Sequence, residues 1–85
     1  MPVNSGKATR ESVQGLINDM NSFSEYVKGE LTNMIRETDR LGESWRDPQY
    51  QQFSSFMYEL TESLNKDLSV FDEAAYALQR KVDLY

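Results

Sequence analysis

One spacing runs through both halves of the chain. Val13, Met20, Val27, Met34 and Leu41 recur every seven residues in the first half. Tyr50, Met57, Leu64, Phe71, Leu78 and Tyr85 do so in the second. Leu16, Ile17, Phe23 and Leu31 fill neighbouring positions of the first set, and Phe53, Leu60, Leu68, Ala75 and Val82 those of the second. Separations of three, four and seven residues fall on one stripe of an α-helix, whereas the period-two alternation of a strand is absent. A repeat of seven, rather than the helix's own ~3.6 per turn, predicts a gentle left-handed supercoil.

The two runs are separated by Gly42-Glu43-Ser44-Trp45-Arg46-Asp47-Pro48, which holds the single tryptophan and one of the two prolines. Gly42 falls where a left-handed C-terminal cap would end a helix. An Asp N-cap followed by Pro at the first helical position is a start signal, so Asp47 and Pro48 open the second helix, with Ser44 a rival cap. Helix one is therefore predicted over 7–41, an elbow over 42–47 and helix two over 48–84. Pro2, Asn4, Ser5 and Gly6 make a loose tail of residues 1–6. Each helix would be about 54 Å long. A short elbow between long helices gives an antiparallel hairpin, so the fold class is all-α with a single domain over 1–85.

Composition narrows the chemistry. The 85 residues include no cysteine and no histidine. Disulfide staples, thiol chemistry, the commonest general base and the commonest zinc ligands are thereby removed, and neither an enzyme nor a cofactor is expected. The net charge of −5 argues against nucleic acid or an anionic membrane as partner. No window approaches the ~20 apolar residues of a membrane span. The polar start, Met-Pro-Val-Asn-Ser-Gly-Lys, lacks the apolar core of a signal peptide, so export would follow a leaderless route. Glu59, Glu62, Asp67, Asp72 and Glu73 read as a solvated acidic face.

Two helices side by side bury only a narrow seam, and this chain has more apolar surface than a seam needs. Tyr26, Ile35, Phe56 and Tyr58 lie off the main columns, and helix two also carries Tyr76. A wide apolar stripe on a two-helix unit is an interaction surface. The economical solution is two hairpins forming a four-helix bundle, first as a homodimer and second as a heterodimer with a similar small hairpin. Its core and interface are expected to use Val13, Leu16, Met20, Phe23, Val27, Leu31, Met34, Tyr50, Met57, Leu60, Leu64, Phe71 and Leu78. Gly15 and Gly29 share a column with Ala8 and Ser22 roughly opposite the stripe and read as solvent-facing. Trp45 reads as a plug over the end of the interhelix core.

The elbow motif Trp45-Arg46-Asp47-x-Gln49-Tyr50-x-x-Phe53 resembles the signature of the WxG-type family of small secreted helical hairpins, relatives of the early secreted antigenic target. In that family a Trp-x-Gly turn joins two long helices, and an aromatic residue often lies eight positions after the Trp. Trp45 and Phe53 match in type and spacing, and Asp47 stands where the family has Gly. The motif spans about nine residues, while the likeness in length and architecture spans the chain. The resemblance implies a substrate or targeting partner of a type VII-like secretion system, exported folded as a dimer, with a secretion ATPase as a further partner. Family members or their partners carry a Tyr-x-x-x-Asp/Glu signal just after helix two. Here that spacing occurs only inside helices, at Tyr26–Glu30 and Tyr58–Glu62, so a partner chain would have to supply the signal. The residues alone also allow an intracellular adaptor or chaperone hairpin that masks an apolar helix of a larger toxin or effector, or a purely structural coiled coil.

Overall fold

The computed structural model describes residues 9–84. It contains two helices, α1 (Arg10–Leu41) and α2 (Pro48–Asp83). The tail at 1–6, the expected helix start at Lys7 and the last heptad residue Tyr85 lie outside the described residues. Thr9 has extended backbone and caps α1. Its Oγ1 accepts from the Ser12 amide at 3.0 Å and Ser12 Oγ accepts from the Thr9 amide at 3.1 Å. Two amides that the first turn would leave unpaired are thus satisfied reciprocally. Asp47 caps α2 by accepting from the Gln49 and Tyr50 amides at 2.9 and 3.3 Å, with Pro48 in the first turn.

The exit from α1 is not the left-handed cap that the glycine suggested. Gly42 is right-handed, with φ −64° and ψ −16°. The last turn instead tightens: the amides of Gly42, Glu43 and Ser44 donate to the carbonyls of Asp39, Arg40 and Leu41, each at 3.1 Å. The Gly42 amide, which would reach Thr38 in a regular helix, is thereby drawn to Asp39. The Tyr50 hydroxyl donates to the Thr38 carbonyl at 2.7 Å in its place. To make that bond the Tyr50 ring crosses directly over Gly42. A Cβ at this position would lie 2.7 Å from the tyrosine Oη and 2.8 Å from Cζ. The position is glycine because another side chain occupies the space, not because the backbone is unusual.

The helices run antiparallel. Cross-helix contacts join Gln14 to Gln79, Phe23 to Phe71, Lys28 to Asp72 and Asp39 to Tyr58, so the partners run back from Gln79 to Tyr58 on α2 as α1 runs forward from Gln14 to Asp39. Buried residues form one column on each helix: Ile17, Ser24, Leu31 and Thr38 on α1, and Leu68, Ala75 and Val82 on α2. Half-buried Ser54 and Thr61 continue the second column toward the elbow. Small and hydroxyl side chains dominate this seam. Among the described residues, the Ser24 and Thr61 hydroxyls are buried without a hydrogen-bond partner. The result is a rod of 61 × 22 × 17 Å with a radius of gyration of 19.2 Å, against about 12 Å for a compact chain of this length.

Glycine substitutions separate these causes. Gly42→Ala must displace the Tyr50 ring and should cost about 1–3 kcal/mol in urea unfolding. At Gly15 and Gly29 an added methyl group would have no neighbour within 4 Å, so alanine at either should stabilise by about 0.5–1 kcal/mol. A neutral Gly42→Ala would show that the ring is not held over the turn.

Candidate helix-docking face

A seam of period seven divides each helix surface into two flanks. On α1, Val13, Met20, Val27, Met34 and Leu41, followed by Leu16 and Phe23, lie to one side of the buried column. Gln14, Asn21, Lys28 and Ile35 lie to the other. On α2 the corresponding apolar flank holds Tyr50, Phe53, Met57, Leu60, Leu64, Phe71 and Leu78, and the polar flank holds Tyr58, Asn65, Asp72 and Gln79. In an antiparallel pair, like flanks meet on the same side. Phe23 therefore meets Phe71, with ring centroids 5.6 Å apart, on one face of the rod. The polar partners meet on the other.

The two faces differ in kind. The polar face is closed by three cross-helix links. The Gln14 and Gln79 amides pair reciprocally at 2.9 Å in each direction. The Lys28 ammonium sits 2.6 Å from an Asp72 carboxylate oxygen, and the Tyr58 hydroxyl donates to Asp39 at 2.7 Å. Lys28 first, and the nearby Ser24 hydroxyl second, hold the Asp72 carboxyl below its ordinary range. The Ser24 hydroxyl closes no regular hydrogen bond, so the ammonium is the dominant cause. Donation to Asp39, with some burial, pushes the Tyr58 phenol up.

The apolar face has no such closure. Of the thirteen residues expected at the core and interface, Leu31 is buried in the seam. Val13, Met20, Val27, Tyr50, Met57, Phe71 and Leu78 are half-buried along its edge. Leu16, Phe23, Met34, Leu60 and Leu64 are exposed, at 52% for Leu16 and 55% for Phe23. Large side chains are thus gathered on one side of a seam too thin to cover them. The whole chain exposes 6665 Å², against about 5,200 Å² for a compact monomer of this mass. That difference exceeds the roughly 800 Å² per partner of a standard interface.

The elbow closes one end of this face. The Trp45 ring packs edge-on to Tyr50 at 5.5 Å and tilted against Phe53 at 5.7 Å. Trp45 and Phe53 therefore touch, because the turn returns the chain along α2 within one helical repeat of the cap. Asp47 is exposed and acts through its cap bonds rather than in this cluster. Trp45 is half-buried, so it covers the edge of the core instead of filling it. Ser24 and Thr38 in the seam, and the Gln14–Gln79, Lys28–Asp72 and Asp39–Tyr58 links, were not among the residues expected from the sequence. Such links become visible only once the register of the two helices is known.

Among the described residues no group of three His, Cys, Asp or Glu side chains is placed to hold a metal ion. No described helix is long and apolar enough to cross a membrane. No protein-family model matches the chain, no curated protein matches it, and no solved structure matches its fold.

Two measurements check this geometry. Trp45→Ala should cost about 1–3 kcal/mol, less than the 3–5 kcal/mol of a fully buried aromatic, because solvent already reaches part of the ring. Carbon-detected NMR titration should place the Asp72 pKa below the ordinary aspartate value, and Lys28→Met should raise it toward that value. Because the folded pKa is depressed, the pair's contribution to stability is present above the ordinary carboxylate pKa and is lost as pH falls through the folded value. An Asp72 pKa unmoved by Lys28→Met would mean the ion pair is absent in solution.

Proposed function

We propose that the protein is a non-enzymatic helix-docking module that works as a pair of hairpins. The carrying observation is the gathering of exposed Leu16, Phe23, Met34, Leu60 and Leu64 on one face while the other is closed by polar links. A second hairpin laid on the apolar face completes a four-helix bundle and gives these side chains the core that the seam lacks. A second copy is the simplest partner, and a similar small hairpin is the next. The contact of Trp45 with Phe53 at the elbow supports a WxG-like reading, in which the bundle is a substrate or targeting partner of a type VII-like secretion system and leaves the cell folded.

Light scattering should give a mass near twice the 9.9 kDa of the chain. Leu16→Asp with Leu60→Asp should return it to a single-chain mass without loss of helical circular dichroism. A wild-type monomer at micromolar concentration would remove the bundle. In its own host the protein should reach the culture fluid only when the secretion ATPase is intact, and equal export without the ATPase would remove the secretion reading. Recovery of one large partner in place of the self-pair would instead assign the face to masking an apolar helix of a toxin or effector.

A further inference from the structure

A second surface lies outside the docking face. Phe56, Ser63, Val70, Ala77 and Leu84 recur every seven residues along α2, on the side turned away from α1. All five are exposed, Phe56 at 59%, Val70 at 66% and Leu84 at 84%. A bundle built on the apolar face leaves most of this stripe in water. Along one edge runs a charge column, also spaced by seven: Glu59, Lys66, Glu73 and Arg80. None of these four forms an ion pair or hydrogen bond among the described residues.

The stripe is centred on Val70 and the charge column within half a residue of it, and reversal turns the column's −, +, −, + into +, −, +, −. Turned end for end about Val70, the stripe sets Phe56 against Leu84, Ser63 against Ala77 and Val70 against itself. The same operation sets Glu59 against Arg80 and Lys66 against Glu73. Every charge in the column meets its opposite, and the small residues flank the two-fold, where two backbones approach most closely. On the other edge, Asp67 meets Ala74 and Lys81 meets Leu60, so no like charges are opposed. A parallel, in-register pairing would instead bring the two different edges together and set Arg80 against Lys81. We infer that the outer face of α2 is a second self-association surface, and that its occupant is the α2 of another copy, antiparallel, with a two-fold axis at Val70. Self-complementarity of charge selects a copy of this chain over a foreign helix, because an unrelated partner would not require the alternation to be centred on the apolar stripe. The surface does not depend on the docking-face reading; used together, the two interfaces would join bundles into larger assemblies.

The chain has no cysteine, which makes cross-linking a direct test. A disulfide across the two-fold requires Cα atoms within ~7 Å. Val70→Cys in the full chain, mildly oxidised at micromolar concentration, should yield a covalent dimer faster than Asn33→Cys, an exposed position on α1. Lys66→Glu should slow that cross-link by on the order of tenfold, and adding Glu73→Lys should restore it, since the swap rebuilds both pairs. Leu16→Asp with Phe23→Asp, which breaks the docking face from α1 alone, should leave the Val70→Cys cross-link in place, so failure of the two surfaces is separately readable. Equal cross-linking at Asn33 and Val70, or a Lys66→Glu effect that Glu73→Lys does not reverse, would overturn the proposal.

Discussion

A pair of helices can bury one column of side chains from each partner, and here that column is thin. Ile17, Leu31, Leu68 and Val82 alternate along the seam with Ser24, Thr38 and Ala75. Small residues let the backbones approach, but they bring little apolar area out of water, at roughly 25 cal/mol per Å². The bulk of the chain's leucine, methionine and phenylalanine is displaced to one flank. The one-sidedness of the rod follows from this placement. A seam filled with leucine would have held the helices farther apart, with less of the bulk forced to the flank.

The elbow fixes which columns meet. Tyr50 reaches from the first turn of α2 to the Thr38 carbonyl in the last turns of α1, and this single bond ties the phase of one helix to the phase of the other. Gly42 makes room for the ring, and the tightened turn leaves Thr38 available to it. Trp45 then packs on the Tyr50 ring, and Phe53 packs on Trp45. The cluster is a clamp of four neighbouring parts, each with a distinct role: a space, a donor, an acceptor and a cover.

The polar face fixes the same phase from the other side. Gln14–Gln79, Lys28–Asp72 and Asp39–Tyr58 are spread along nearly the whole length of the rod. The Lys28–Asp72 pair is exposed enough to add little to stability. The shared effect of the three links is orientation: a slip of one helical turn would break all three and would carry the apolar flank out of alignment. They also mark that face as satisfied, while the opposite one keeps Leu16, Phe23, Met34, Leu60 and Leu64 exposed.

Much of this was legible in the sequence. The heptad columns, the Asp47–Pro48 start, the antiparallel hairpin and the surplus of apolar surface all follow from local rules: helical periodicity, capping chemistry and the narrowness of a two-helix seam. The choice of buried column was not legible. Hydropathy favours Met20, Val27, Met34 and their heptad mates, yet the tertiary structure buries Ser24 and Thr38, because backbone proximity rewards small side chains that a hydrophobic pattern ignores. Gly42 shows the same limit. Its position at the end of a helix was plain, but its cause is the ring of Tyr50, further along the chain and brought over it only when the hairpin closes.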